Sequence, residues 1–271
     1  MEKKEISLKE LKKIQVEILN DFTSFCEKNN LKYWLDSGTL LGAVRHKGYI
    51  PWDDDIDVGM LREDYDKALK LYNKNNPRYK LYSYENNKDF LYASAKVLDT
   101  QTLLYEPDEN GNKLSVNIDV FVFDKCPNNP RIINKLFKKR MLCLVLQSIR
   151  INHNFKGKKF KFTRRFLQLF LNLFFPKDYF IKKIVDISKT YSDSDYEYVG
   201  NFTSYGDVGG PISIFDSFVD VSFEGKKYKA PIGYKEWLTI FYGDYMKLPP
   251  VEERKSHHTF KAYYLDLYDE K

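Results

Sequence analysis

Cysteine is scarce in this chain, and the spacings that announce disulfides or zinc are missing. Cys26, Cys126 and Cys143 are scattered, with no CxxC pair and no close Cys/His arrangement. An odd, dispersed set argues for a reducing compartment and against a zinc site. Long apolar runs are absent too. No stretch of about 18 apolar residues occurs, so no transmembrane helix is expected. The opening MEKKEISLKE is charged and holds no apolar core, so no signal peptide is expected. Together these absences predict a cytoplasmic protein. There is no internal repeat and no low-complexity segment.

What is there suffices for a folded core. Hydrophobic residues make up 43% and charged residues 30% of 271 positions, which predicts one elaborated domain or a domain with a helical appendage. Aromatics reach 16%, with 21 Tyr and 20 Phe, an excess that suits cavities or an interface as well as a core. The net charge of +6 favours anionic partners (nucleotides, anionic glycans or a membrane surface) without choosing among them.

The chain is organised around Tyr33–Met60, YWLDSGTLLGAVRHKGYIPWDDDIDVGM. Asp55 and Asp57 flank Ile56, and Val58 follows. This alternation predicts a strand with Ile56 and Val58 toward a core and both acids on the opposite face, roughly 7 Å apart. Carboxylates that close repel unless a cation stands between them. Asp53, Asp55 and Asp57 also alternate as in an EF-hand. Val58, however, stands where that loop needs glycine, and no glutamate closes it.

Around this stretch the periodicities define further elements. Ser7 and Glu10 have capping-box spacing, and Leu8, Leu11, Ile14, Ile18, Phe22 and Phe25 form one face of a helix that stops at Asn29-Asn30. Leu31 to Asp36 reads as a strand, Ser37-Gly38-Thr39 as the turn leaving it, and Leu40 to Arg45 as a short helix. Free N–H groups near Gly38 and Thr39 could receive a phosphate. A helix is predicted over Arg62–Asn76, then strands over Tyr79–Tyr84, Leu91–Leu98, Thr102–Glu106 and Leu114–Phe123. On the last of these, Val116, Ile118, Val120 and Val122 share one face. Asp119 stands opposite them, either as an exposed strand residue or as a third carboxylate converging on Asp55 and Asp57.

From Pro130 the composition shifts. Arg131 to Ile187 is basic and aromatic, and reads as two or three helices broken at Asn154–Gly157 and Pro176. These helices either pack on the main domain or form an interfacial surface for anionic lipid or a lipid-linked glycan. The segment is too apolar for a simple nucleic-acid patch, and no nucleic-acid partner is expected. Beyond it come a Gly-rich loop over Asp207–Pro211 and a hairpin of Phe218–Phe223 with Lys226–Ala230. A helix over Tyr234–Phe241 and a charged tail follow. Trp34, Trp52 and Trp237 read as core or supporting residues.

Transfer of a phosphoryl-linked group needs its oxygens neutralised and the attacking and leaving oxygens held in line. Magnesium on a few carboxylates does both. A small-residue turn, SGT, then paired acids, DID, and Asp119 on a later strand have the layout of a nucleotidyltransferase-type site.

The segment DSGTLLGAVRHKGYIPWDDDIDVGM closely resembles the signature of the LicD/fukutin family of phosphotransferases. VNIDVFVFD and YGDYMKLPPVEERKSHH resemble that family's downstream blocks, so the likeness spans most of the chain outside 130–200. It implies a mixed α+β fold, a nucleotidyltransferase-like core whose mixed β-sheet is flanked by helices. Residues 1–129 would form the catalytic core, 130–200 a basic aromatic helical insert, and 201–271 the part that completes the catalytic domain. The resemblance also implies Mg2+, with Mn2+ as an alternative, on acids matching Asp55, Asp57 and Asp119, with Asp53 as a fourth.

Roles follow on the same basis. Ser37, Gly38 and Thr39 would cradle donor phosphate. Asp119 would complete the metal shell or draw the proton from the acceptor hydroxyl. Arg45, His46 and Lys47 would neutralise phosphate oxygens, or are plain surface charges. Arg254, His257 and His258 would close over the nucleotide, or belong to a solvated tail. The implied reaction moves a phosphorylated small alcohol, most typically phosphocholine from CDP-choline, onto a cell-surface glycan precursor such as teichoic acid, capsule or lipopolysaccharide, and releases CMP. A choline donor would require an aromatic cage for its quaternary ammonium. CDP-ribitol or CDP-glycerol as donor is one alternative. A catalytically silent glycan- or membrane-binding module is another.

Overall fold

Helix formation starts where the sequence marks it. Ser7 and Glu10 form the capping box that opens α1 (Leu8–Lys28), preceded by the short β1 (Glu5–Ile6). Leu11, Ile14, Ile18 and Phe22 are buried, Phe25 packs against the core, and the exposed Leu8 lies outside it. Asn29 caps the helix end and Asn30 turns left-handed at φ 56°. The computed structural model describes residues 4–74, 76–105, 113–151, 161–203, 208–255 and 261–265.

β2 (Trp34–Leu35), α2 (Ser37–Arg45), β3 (Asp57–Leu61) and α3 (Arg62–Leu71) follow. Next come β4 (Tyr79–Tyr82), β5 (Ala95–Asp99), β6 (Thr102–Tyr105), β7 (Lys113–Leu114) and β8 (Asn117–Lys125). Three helices, α4 (Pro130–Ile151), α5 (Lys161–Phe174) and α6 (Tyr179–Ser188), then lead to β9 (Tyr198–Asn201) and β10 (Val208–Pro211). The chain continues with β11 (Phe218–Phe223), β12 (Lys226–Pro231), α7 (Tyr234–Tyr242) and β13 (Lys261–Tyr264). The fold is mixed α+β, as the sequence implied.

A seven-stranded mixed sheet holds the centre. β8 pairs in parallel with β3 on one edge, and antiparallel with β5 and then β9 along the other. β2 flanks β3, β4 flanks β5, and β10 flanks β9. A second sheet orders β1-β13-β6-β7, and β11 with β12 makes the expected hairpin. On β8 the alternation is clear: Ile118, Val120 and Val122 are buried, while Asn117, Asp119 and Phe121 are half-buried. The three helices occupy the connection between the neighbouring strands β8 and β9.

Several expected boundaries move. The strand expected over Leu31–Asp36 narrows to Trp34–Leu35, and the Leu91–Leu98 run becomes a strand only from Ala95. Arg62–Asn76 is α3 followed by a 3-10 turn over Tyr72–Lys74, and Leu114–Phe123 divides between β7 and β8. The Gly-rich segment before Pro211 is not a loop: Val208–Pro211 pairs antiparallel with β9. Its glycines serve close packing, since a Cβ on Gly210 would press on the Trp237 ring. The acid strand begins at Asp57, so Asp55 lies in the preceding loop, although Ile56 and Val58 are fully buried as expected. Ser37-Gly38-Thr39 is the first turn of α2. The Asp36 carbonyl accepts from the Leu40 amide at 2.9 Å, so the helical ladder already runs through all three residues.

Candidate active site

Strand register assembles the acids. β3 and β8 run parallel with Asp57 paired to Asp119, and the Asp119 amide donates to the Ile56 carbonyl at 2.9 Å. On the other side the Asp36 amide donates to the Asp57 carbonyl at 3.0 Å. The start of α2 is fastened to the same place, because Thr39 Oγ1 accepts from the Asp57 amide at 2.8 Å. Ser37 is held at φ 47°, a left-handed backbone that costs a non-glycine residue free energy. A Cβ on Gly38 would stand 2.7 Å from Asp53 Oδ2. Glycine therefore lets that carboxylate close on the helix start. Ser37, Gly38 and Thr39 thus sit at the acids, as a helix N-terminus and not as a turn.

The site is electrostatically overloaded. Burial holds the Asp57 carboxyl well above the usual carboxylate range, and the charges of Asp55, Asp119, Asp36 and Asp53 add to it. Burial also raises Asp53, against a hydrogen bond with Asp55. Asp36 is fully buried and raised for the same reason, although Trp34 Nε1 and Trp237 Nε1 both donate to its Oδ1, at 3.2 and 2.8 Å. The two tryptophans are fully buried and packed with Phe123 and Phe215, the supporting role read from sequence.

A cation stands among the acids. β5 places Lys96 opposite Asp119, and Lys96 Nζ reaches both carboxylate oxygens at 2.9 and 2.8 Å. Ser94 Oγ donates to the same carboxylate at 2.7 Å. Sequence reasoning missed Lys96, Ser94, Asp36 and Tyr242. A signal for Lys96 existed: it is the one charge inside the apolar strand ASAKVL, as Asp119 is inside NIDVFVF.

The donor set suits a hard divalent cation. Every candidate ligand is a carboxylate oxygen, the chemistry that Mg2+ and Mn2+ prefer, and a cation would relieve the crowding that raises Asp57. Lys96 already holds positive charge against Asp119. Among the described residues no three His, Cys, Asp or Glu side chains form a ready-made metal-ligating group. An ion would therefore have to draw these carboxylates together.

Beside the acids lies a basic and aromatic wall assembled from both ends of the chain. Arg45 Nη1 donates to the Tyr245 carbonyl at 2.9 Å, and Arg45 Nε to His46 Nε2 at 2.9 Å. Burial and the Arg45 charge push His46 below the usual imidazole range. Its Nε2 lone pair is occupied by Arg45, which suits a structural group better than a base. The Arg254 guanidinium lies 5.6 Å from the Trp52 ring, and its charge reaches Arg45. Tyr242, at the end of α7, is 41% exposed, yet burial and the charges of Asp57, Asp36, Asp53 and Asp55 push its hydroxyl above the phenol range. Arg45, His46 and Arg254 are brought together. Lys47 is not: it is exposed, with Nζ donating to the Val44 carbonyl at 3.2 Å. His257 and His258 lie outside the described residues.

A recess of about 460 Å3 lined by Asp21, Phe25, Tyr72 and Asn76 lies away from all these groups, and we assign it no chemistry.

The sheet, the helix start and the acids define a nucleotidyltransferase-type domain, and residues 30–140 match the family profile described as LicD/FKTN/FKRP, nucleotidyltransferase domain. The chain is 34% identical, over 97% of its length and 100% of the relative's, to the lipopolysaccharide cholinephosphotransferase LicD of Haemophilus influenzae. It belongs to the LicD family and is a LicD-like phosphotransferase. An uncharacterised Rickettsia typhi protein is 37% identical over 50% of this chain and 38% of its own. The human ribitol 5-phosphate transferase FKRP is 53% identical over 17% of this chain and 9% of its own.

Proposed function

We propose that the enzyme transfers phosphocholine from CDP-choline to a hydroxyl of a cell-surface glycan precursor and releases CMP. Asp53, Asp55 and Asp57 would hold Mg2+ or Mn2+, with Asp119 either completing the metal shell or taking the acceptor proton. The observation that carries the reaction class is the β3–β8 register, which sets Asp57 beside Asp119 at the start of α2. The end-to-end likeness to a lipopolysaccharide cholinephosphotransferase supports choline as the alcohol and a glycan such as lipopolysaccharide, teichoic acid or capsule as acceptor. The enzyme would act in the cytoplasm, peripherally on the inner membrane face.

In this reading the acceptor oxygen attacks the phosphorus bearing the alcohol. A new O–P bond forms, the bond to the CMP phosphate breaks, and the hydroxyl proton passes to Asp119. Lys96 and Ser94 fix the Asp119 carboxylate for that task. The start of α2 takes donor phosphate oxygens, with Arg45 and Arg254 adding charge. A metal ion bound by these acids would supply charge neutralisation at the phosphate oxygens. Trp52 and Tyr242 supply aromatic faces for a quaternary ammonium.

The likeness to a ribitol 5-phosphate transferase favours a second donor, CDP-ribitol. Incubation with CDP-choline, CDP-ribitol and CDP-glycerol, each with Mg2+ and a glycan acceptor, separates them by CMP release. We expect release with CDP-choline. Release only with CDP-ribitol would reassign the donor, and none with any donor would leave a silent binding module.

A further inference from the structure

α5 buries Leu171 beside a polar side chain and leaves most of its large apolar side chains outside. Its buried Gln168 donates Nε2 to the Arg150 carbonyl at 3.0 Å, and Asn172 Oδ1 accepts from Arg150 Nε at 2.9 Å. The polar groups therefore face α4. On the outer side Phe162, Phe166, Leu169, Leu173 and Phe174 are 83, 73, 58, 77 and 63% exposed. Phe162, Phe166, Leu169 and Leu173 recur at three- and four-residue steps, one continuous helical stripe that Phe174 widens at its end. Leu142 and Val145 of α4 are also exposed. An apolar stripe of this extent on an otherwise folded enzyme marks a contact surface.

Charge names the partner. Arg131 to Lys177 holds thirteen Lys and Arg and no Asp or Glu. The chain has 44 Lys and Arg against 38 Asp and Glu, so the remainder carries 31 against 38 and is acidic. All the net positive charge belongs to the segment that carries the apolar stripe. Exposed Lys138 and Lys139 on α4 and Arg165 on α5 belong to it. Among the described residues no helix is long and apolar enough to cross a membrane. An aromatic stripe with a basic surround and no spanning length is the pattern of a helix lying in a lipid interface.

We propose that the outer face of α5, with the exposed residues of α4, docks on a membrane surface rich in anionic lipid. The contact stands on this surface alone. That it brings the enzyme to a lipid-linked acceptor rests on the function proposed above.

Sedimentation of the full chain with phosphatidylglycerol/phosphatidylcholine vesicles, and with phosphatidylcholine alone, tests it. Binding is expected to the anionic vesicles, weakening at least tenfold between low and high salt, and absent with phosphatidylcholine alone. Phe166→Ser with Leu173→Ser should weaken it at least tenfold with an unchanged circular dichroism spectrum and unchanged CMP release on a soluble acceptor. Lys138→Glu with Lys139→Glu should remove most of the salt dependence. Failure to bind at any salt, or unaltered binding by a folded Phe166→Ser/Leu173→Ser variant, overturns the proposal. So does a dimer in light scattering that this variant dissolves, which would make the stripe a contact between copies. CMP release is read separately, so loss of the membrane contact and loss of the proposed activity are told apart.

Discussion

At Asp57 a carboxylate sits on a buried strand among four others, and its backbone is tied to Thr39 and Asp36. Because its folded pKa is raised, the native state holds a proton that the unfolded state releases, between the unfolded value near 3.8 and the raised one. Stability of the metal-free protein is therefore lost through this group as pH rises across that window. Asp57→Asn should flatten that slope in thermal melts at a series of pH values. It should also stabilise the metal-free protein at neutral pH, while CMP release collapses. Melts that superimpose on wild type at every pH would contradict the account. Lys96 works through Asp119. Lys96→Met should lower kcat by about 10–100-fold with folding intact by circular dichroism, the usual loss when a supporting partner of a ligand is removed. Unchanged turnover would take Lys96 out of the site.

Among the elements, α2 depends on close approach. A Cβ on Gly42 would run into the Gly48 carbonyl and crowd the Ile50 amide, both backbone groups unable to swing aside. Gly42→Ala, on an ordinary helical residue, should therefore destabilise by roughly 1–3 kcal/mol in urea melts, although alanine is the better helix former. A neutral effect would mean that the 46–50 loop yields freely. The same element shows what could be read locally. The capping box of α1, the alternation on β8 and the β11–β12 hairpin were legible, because each follows from a period or a local hydrogen bond. The start of α2 was not. Ser-Gly-Thr has turn composition, and only the Asp36–Leu40 bond and the tie from Asp57 to Thr39 make it helical. Asp55 fell off the strand for a related reason: pairing with β8 begins at Asp57.

Across the whole molecule, one arginine joins sheet to helices. Arg62 donates to both Asp124 oxygens, at 2.7 and 2.8 Å, and to Glu85 at 3.0 Å, and Ser188 of α6 completes the group. Asp124 is fully buried near the end of β8 and is held by this guanidinium and by Ser192 Oγ, which donates to it at 2.6 Å. Burial raises Glu85, but Arg62 and Lys189 outweigh it and leave its carboxyl below the usual range. Its stabilising share is present above a pH of about 4.5 and is lost as pH falls through the lowered value. Arg62→Met should cost about 3–5 kcal/mol, the penalty for stranding a buried charge, and should shift acid unfolding to higher pH. A variant as stable as wild type in both measurements would mean that the helices hold to the sheet without this node.

By itself the sequence determined the family likeness carried by Tyr33–Met60, the helices α4, α5 and α6 and, through that likeness, the mixed α+β class. The helices follow from spacing and periodicity, properties of neighbours along the chain, and the class from the family resemblance. The tertiary structure alone decided which charges meet. It set Lys96 on Asp119 through a strand pair and brought Tyr242 and Arg254 back to Arg45 from two hundred residues away. It also turned the apolar side of α5 outward. Each is a choice between partners far apart in sequence, fixed by register and packing and written in no local pattern.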